Sequence, residues 1–116
     1  MDIYHIWFDL QGGVKDVEFS ERLERFLNAM KEAGHIAGHR LTRRKLGFGP
    51  AELGEFHVMI EVEGLAQLDQ AFAAAASRAD PVERLHHAVN SQVTNFRAAL
   101  YRDFPDPIRQ RGQEKF

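Results

Sequence analysis

The residues Glu55-Phe56-His57-Val58-Met59-Ile60-Glu61-Val62 alternate without a break. Phe56, Val58, Ile60 and Val62 fall on one side, and His57, Met59 and Glu61 on the other. Successive strand residues point to opposite faces. The segment therefore reads as a strand with one greasy face and one that is polar yet unlike ordinary surface.

The same logic organises the rest of the chain. Ile3 to Leu10 predicts a first strand, with Tyr4, Ile6, Phe8 and Leu10 on one face and Ile3, His5, Trp7 and Asp9 on the other. Gln11-Gly12-Gly13 ends it in residues free to turn. Phe19, Leu23, Phe26, Leu27 and Met30 then recur at helical spacing, with Asp16 expected as N-cap and Gly34 at the left-handed C-terminal position. Ile36 to Leu46 predicts a second strand, and Gly47-Phe48-Gly49-Pro50 breaks it before Glu55.

Leu65, Leu68, Phe72 and Ala75 predict a second helix whose Ala73–Ala76 flank suits close packing on the sheet. Asp80-Pro81-Val82-Glu83 opens a short third helix, with Asp80 as N-cap, Pro81 at the first helical position and Glu83 closing the box. Val82, Leu85, His86, Val89 and Val93 share one side of it, and His87 points away. Phe96, Ala98 and Leu100 alternate with Asn95, Arg97, Ala99 and Tyr101, which predicts the last strand.

The order strand, helix, strand, strand, helix with a short extra helix, strand is the split βαβ arrangement of ferredoxin-like α+β domains. It predicts a four-stranded antiparallel sheet with the first and third strands central and both main helices on one face. Residues 1–104 form this single domain, and residues 105–116, which follow Phe104, form a C-terminal tail or an arm that packs on a partner. Tyr4, Ile6, Phe8, Phe56, Val58, Ile60, Phe96, Ala98 and Leu100 should face the helices. The opposite face carries Trp, Met, Ile and Tyr side chains, too many to stand bare in water, so a second copy of the sheet is expected to cover it.

The 116 residues suffice for one core, with 44% hydrophobic and 28% charged residues typical of a soluble globular mixture. The formal charge of −2 offers no footprint for nucleic acid or for an anionic membrane. The absence of cysteine excludes disulfides and thiolate metal sites. Met1-Asp2-Ile3-Tyr4-His5 lacks the basic and apolar regions of a signal peptide, and no apolar run has the length of a membrane span, so a cytoplasmic location is expected.

With its short helix before the last strand, this order resembles the dimeric α/β-barrel superfamily. Tyr4-His5-Ile6-Trp7-Phe8, Gly54 to Val62, Leu85-His86-His87-Ala88-Val89-Asn90-Ser91 and Tyr101 to Pro107 also resemble a small uncharacterised bacterial family across nearly the whole chain. The superfamily resemblance implies a homodimer whose sheets enclose a shared cavity. Its members include monooxygenases, lactone isomerases, haem-dependent enzymes, stress-responsive proteins and ligand-binding domains, so fold alone selects no reaction.

Candidate site residues sit on the helix-free face: His5, Trp7, His57, Met59, Glu61, Arg97 and Tyr101. If Trp7 sits opposite Met59, His5 lies beside Glu61 and Asp9 beside His57, and a slip of two residues would keep the same face. A histidine oriented by a carboxylate in a partly dry cavity could move a proton on a small organic substrate, with Trp7 and Met59 as apolar wall. The structural alternative makes both histidines dimer-interface residues. His57 and Glu61 lie about 13 Å apart along an extended strand, too far to share one ion, and no native metal site is expected.

His86 lies on the apolar side of its helix with Asn90 one turn later, which reads more readily as a satisfied core histidine than as a ligand. His35 and His39 read as surface. Arg40 to Lys45 suits a charged edge strand better than an anion grip. Neither Gly47–Pro50 nor Gly12-Gly13 has the spacing of a phosphate or dinucleotide loop. Three functions remain: a homodimeric barrel binding a small organic molecule, with cofactor-free acid–base or oxygenase chemistry; a non-catalytic stress-type or assembly protein; and a haem or metal protein using His5, His57 or His86. The sequence identifies no cofactor.

Overall fold

The computed structural model describes residues 1–77 and 82–113. The elements run β1 (Asp2–Leu10), α1 (Asp16–Glu32), β2 (Gly38–Arg43), β3 (Phe56–Val62), α2 (Leu65–Ala76), α3 (Val82–Asn90) and β4 (Val93–Arg102). One four-stranded sheet has the order β2-β3-β1-β4 with every neighbour antiparallel, so the ferredoxin-like α+β arrangement is present with β1 and β3 central. Among the described residues, no helix is long and apolar enough to cross a membrane.

Helix α1 forms where Phe19, Leu23, Leu27 and Met30 recur on one stripe, and all four are buried. It stops at Gly34, whose positive φ of 81° places it in the left-handed region that favours glycine. The His35 N–H bonds the Met30 carbonyl at 2.9 Å and the Gly34 N–H bonds Lys31 at 3.0 Å, the paired bonds of a Schellman stop. Its start differs from expectation. Lys15 is the capping residue and Asp16 is the first helical residue, where its carboxylate suits the positive helix end.

The core joins α1 and α2 to the greasy faces of β1 and β3: Phe8, Phe19, Leu23, Leu27, Met30, Phe56, Val58, Val62, Leu68 and Ala71 are all buried. Full burial of a side chain of the size of Phe19 contributes about 1.5–3 kcal/mol. Several details depart from the helical and strand periodicities. Ala71 is the buried alanine of α2, while Ala73 and Ala76 are exposed. Val93 opens β4 opposite Leu10, because α3 ends at Asn90. Phe96 and Leu100 face the core yet stay half-exposed, since edge strand β4 lies at the limit of the helical cover. His39 is not surface. It lies on the helix-facing side of β2 opposite Ile60, hydrogen-bonded to Asn28 at 3.0 Å. The expected roles of Asp80 and Pro81 lie outside the described residues, as does the Glu83 side chain.

The register of β1 on β3 pairs Trp7 with His57, His5 with Met59 and Ile3 with Glu61. This is a slip of two residues from the pairing of Trp7 with Met59. The cause lies at the entry to β3, where Asp9 Oδ1 accepts the Glu55 N–H at 2.8 Å and Gly54 lies against the Phe8 backbone. At the other end, Asp2 is buried and holds Arg102 through two hydrogen bonds, Nε to Oδ1 at 2.6 Å and Nη2 to Oδ2 at 3.0 Å. That guanidinium keeps the Asp2 carboxyl below the ordinary carboxylate range. The chain beyond β4 turns at Asp106–Arg109 and leaves Phe104 and Ile108 exposed.

Gly54 is the position that tests this register. A β-carbon there would fall within the Phe8 backbone. Gly54→Ala is expected to lower stability by about 1–3 kcal/mol in urea unfolding, the usual cost of forced overpacking. Gly12→Ala, with open space around it and no positive φ, serves as the near-neutral control. A neutral Gly54→Ala would show that β3 enters the sheet elsewhere.

Candidate functional site

Strand alternation sets which side chains reach the helix-free face. From β1 come Ile3, His5 and Trp7, from β3 His57, Met59 and Glu61, from β2 Arg40 and Thr42, and from β4 Arg97, Ala99 and Tyr101. At the centre three rings lie nearly parallel. Trp7 and His57 stack with centroids 4.5 Å apart and planes 10° apart, and His5 lies 5.6 Å from Trp7 and 5.1 Å from His57. Tyr101 meets His5 edge-on at 5.0 Å. Such contacts contribute about 0.5–1.5 kcal/mol each beyond burial, and they hold the rings as one flat plate.

His5 Nδ1 and His57 Nε2 are 2.9 Å apart. One nitrogen must carry the proton and the other its lone pair, so the two neutral rings share a proton, while two protonated rings would oppose each other. Desolvation pulls both histidines below the usual value of 6.5, and the neighbouring His5 depresses His57 further. Both rings therefore favour the neutral form at neutral pH, and among the described residues Nε2 of His5 and Nδ1 of His57 make no further hydrogen bond.

The expected carboxylate partners are elsewhere. Glu61 is exposed opposite Ile3 and Gly38, away from His5. Asp9 binds the Glu55 N–H and accepts from Asn95 Nδ2 at 2.9 Å, bonds that hold its carboxyl below the ordinary range. The histidines orient each other instead. Met59 sits half-buried between His5 and Arg40, and Arg97 lies opposite Trp7 with its Nη1 bonded to the Phe96 carbonyl at 2.9 Å.

A cavity of about 200 Å³ opens beside the plate. Trp7 and His57 form one wall, Thr42 and Arg44 another, and the loop from Phe48 to Glu55 the third. Thr42 Oγ1 donates to the His57 carbonyl at 3.2 Å. Thr42, Arg44 and this loop are absent from the sequence-derived site. Thr42 had a signal, its alternation with Leu41 and Arg43 along the predicted strand, whereas the return of the loop over the face had none.

The second-tier residues lie on the other side of the sheet. His86 packs at 5.4 Å from Phe26, and with Asn90 it lines an apolar crevice of about 210 Å³ bounded by Tyr4, Ile60, Phe72 and Phe96. Among the described residues, no group of three or more His, Asp or Glu side chains converges as a metal site would require.

The model of a family of unknown function (DUF6614) matches residues 1–116, and the chain belongs to that family. No curated protein matches the sequence. Among solved structures, a variant of SnoaB, a cofactor-independent oxygenase from Streptomyces nogalater, is similar with TM-score 0.68 and 12% identity over 93% of this chain and 97% of that one. At3g17210 from Arabidopsis thaliana is similar with TM-score 0.69 and 9% identity over 89% and 95%. A dimeric ferredoxin-like protein of unknown function from Jannaschia sp. CCS1 is similar with TM-score 0.64 and 13% identity over 89% and 100%. At these identities the likeness is one of fold.

The depressed histidine values carry a sign. Below pH 6.5 the unfolded chain takes up protons that the folded plate refuses, so stability from this source is present above that pH and is lost as pH falls. The His5→Phe/His57→Phe double variant is expected to have a flatter stability profile between about pH 5 and 7, read by thermal unfolding. In the wild type, proton NMR is expected to place both histidine titrations below 6.5. Ordinary titration of both rings would refute the shared-proton pair.

Proposed function

We propose that this member of the family works as a homodimer whose helix-free sheet faces meet, and that it binds a small organic molecule beside Trp7 and His57. The single observation that carries this reading is the cavity of about 200 Å³ against the stacked Trp7–His57 wall. Alone it is smaller than most ligand pockets, which run about 300–1,000 Å³, and the sheet of a second copy would enlarge and close it. The Jannaschia relative is dimeric, and the exposed Tyr101 ring on the same face is what a partner would cover. The exposed Phe104 and Ile108 side chains suit the C-terminal segment to an arm on that partner.

The chemistry that suits the pair is cofactor-free proton transfer. His57 Nδ1 accepts a proton from an acidic C–H or O–H of the ligand, the Nε2 proton passes to His5 Nδ1, and His5 Nε2 releases its own proton. Two neutral imidazoles in series thus move a proton away from the ligand without accumulating charge. The step leaves an electron-rich carbanion or phenolate on the ligand, and a similar fold occurs in SnoaB, a cofactor-independent oxygenase.

A second reading rests on the helix-side crevice, whose wall is almost wholly apolar and whose polar groups include His86 and Asn90. One experiment separates the two. Thermal unfolding is followed across a panel of small aromatic acids, phenols and ketones, for the wild type, His57→Ala and His86→Ala. The sheet-face reading expects stabilisation that His57→Ala removes and His86→Ala retains. The reverse pattern moves the ligand to the crevice, and a monomer in sedimentation at micromolar concentration removes the shared cavity.

A further inference from the structure

The arginines of the sheet differ in what holds them: on the open face Arg97 donates to the Phe96 carbonyl, whereas Arg43 and Arg102, on the helix side, are bound by carboxylates. Arg43 is spent on Asp16 and Glu55, both at 2.9 Å, and Arg102 on Asp2. Arg44, which lines the cavity beside Trp7 and His57, is different. Its Nη2 donates to two neutral acceptors, the Pro50 carbonyl at 2.8 Å and the Leu53 carbonyl at 2.7 Å. Among the described residues, no carboxylate forms a hydrogen bond or ion pair with it.

The loop is built around this guanidinium. A β-carbon at position 49 would sit 2.5 Å from Arg44 Nε, so the guanidinium packs directly against the glycine. The group is half-buried and held by two carbonyls, and among the described residues Nε and Nη1 make no hydrogen bond. Glu55, the carboxylate on the cavity wall, is bonded to Arg43. Asp9 feels the Arg44 charge, yet its own oxygens are held by Glu55 N–H and Asn95. Desolvation pulls the neighbouring His57 toward its neutral form, so it does not compete with Arg44 for an anion.

A fixed guanidinium against an aromatic wall, with donors unspent, is matched by an oxyanion in the guanidinium plane. We infer that the cavity takes a planar conjugated anion, an aromatic carboxylate or the enolate of a conjugated ketone, with its ring against Trp7 and His57 and its anionic oxygen on Arg44. This rests on the sheet-face reading above and specifies its ligand class. Arg44 acts here as a binding residue, and His57 remains the group that moves the proton. For a ligand acidic next to a carbonyl, the same guanidinium would receive the negative charge that forms when His57 takes the proton.

The test uses benzoate and benzamide, near-identical in shape and differing in charge, on the full-length protein. Trp7 is the sole tryptophan and stacks on the cavity wall, so its fluorescence reports occupancy. The wild type is expected to bind benzoate at least tenfold tighter than benzamide. Arg44→Gln is expected to bring that ratio close to one while changing benzamide affinity less than threefold, and Arg44→Lys to keep part of the preference. Equal wild-type affinities overturn the anion assignment and leave the cavity reading standing. Equal losses of both probes in Arg44→Gln also overturn it, by showing that Arg44 only staples the loop. No binding of either probe overturns the cavity reading, and the anion assignment with it.

Discussion

The pairing of Trp7 with His57 across β1 and β3 is the contact on which the helix-free face depends. It brings one indole and two imidazoles into a single plate, and it puts His5 Nδ1 within 2.9 Å of His57 Nε2. Shifted by two residues, the same sheet would have kept its core and lost this arrangement. The core sees only which face a side chain is on, whereas the site depends on which rung of the ladder it occupies. The plate is thus held by a few polar contacts at the strand entry, above all Asp9 to the Glu55 amide and the Gly54 approach to Phe8.

That division explains what could be read from the sequence. Period-two alternation in Ile3–Leu10 and Glu55–Val62 identifies the two faces, and helical spacing from Phe19 to Met30 identifies the covering layer. The strand order then follows from connection rules. Alternation is unchanged by a slip of two, so the expected neighbours of His5 and His57 were the carboxylates Glu61 and Asp9. Both side chains lie on the open face, and neither partners a histidine. Arg44 was hidden for another reason. In the string Arg40 to Lys45 it looks like one charge of an edge strand, and only the return of the loop over the sheet separates it from Arg43.

The two sides of the sheet offer cavities of similar size and opposite character. The crevice beneath the helices is nearly all apolar, the kind of space that a close-packed core leaves beside the half-covered edge strand β4. The cavity on the open face combines an aromatic wall, a hydroxyl, a guanidinium and a neutral histidine. Binding in the first would draw mainly on apolar area, and in the second on directional contacts. Because a fold shared with other proteins selects no reaction, this contrast between the sites, rather than the fold, has to select the function.

The irregularity in β4 has a consequence for how this sheet meets other chains. Pairing shifts between Trp7 and Asp9, and Asn95 there has a positive φ of 55°, so β4 carries one residue more than its partner. On the outer side of β4 that extra residue breaks the even row of amide and carbonyl groups a further strand would need. The arginines of β2 charge the opposite border, at Arg40 and Arg43. With both borders unsuited to continuation, lateral growth into a ribbon of copies is discouraged, and contact between copies is steered to the flat of the sheet.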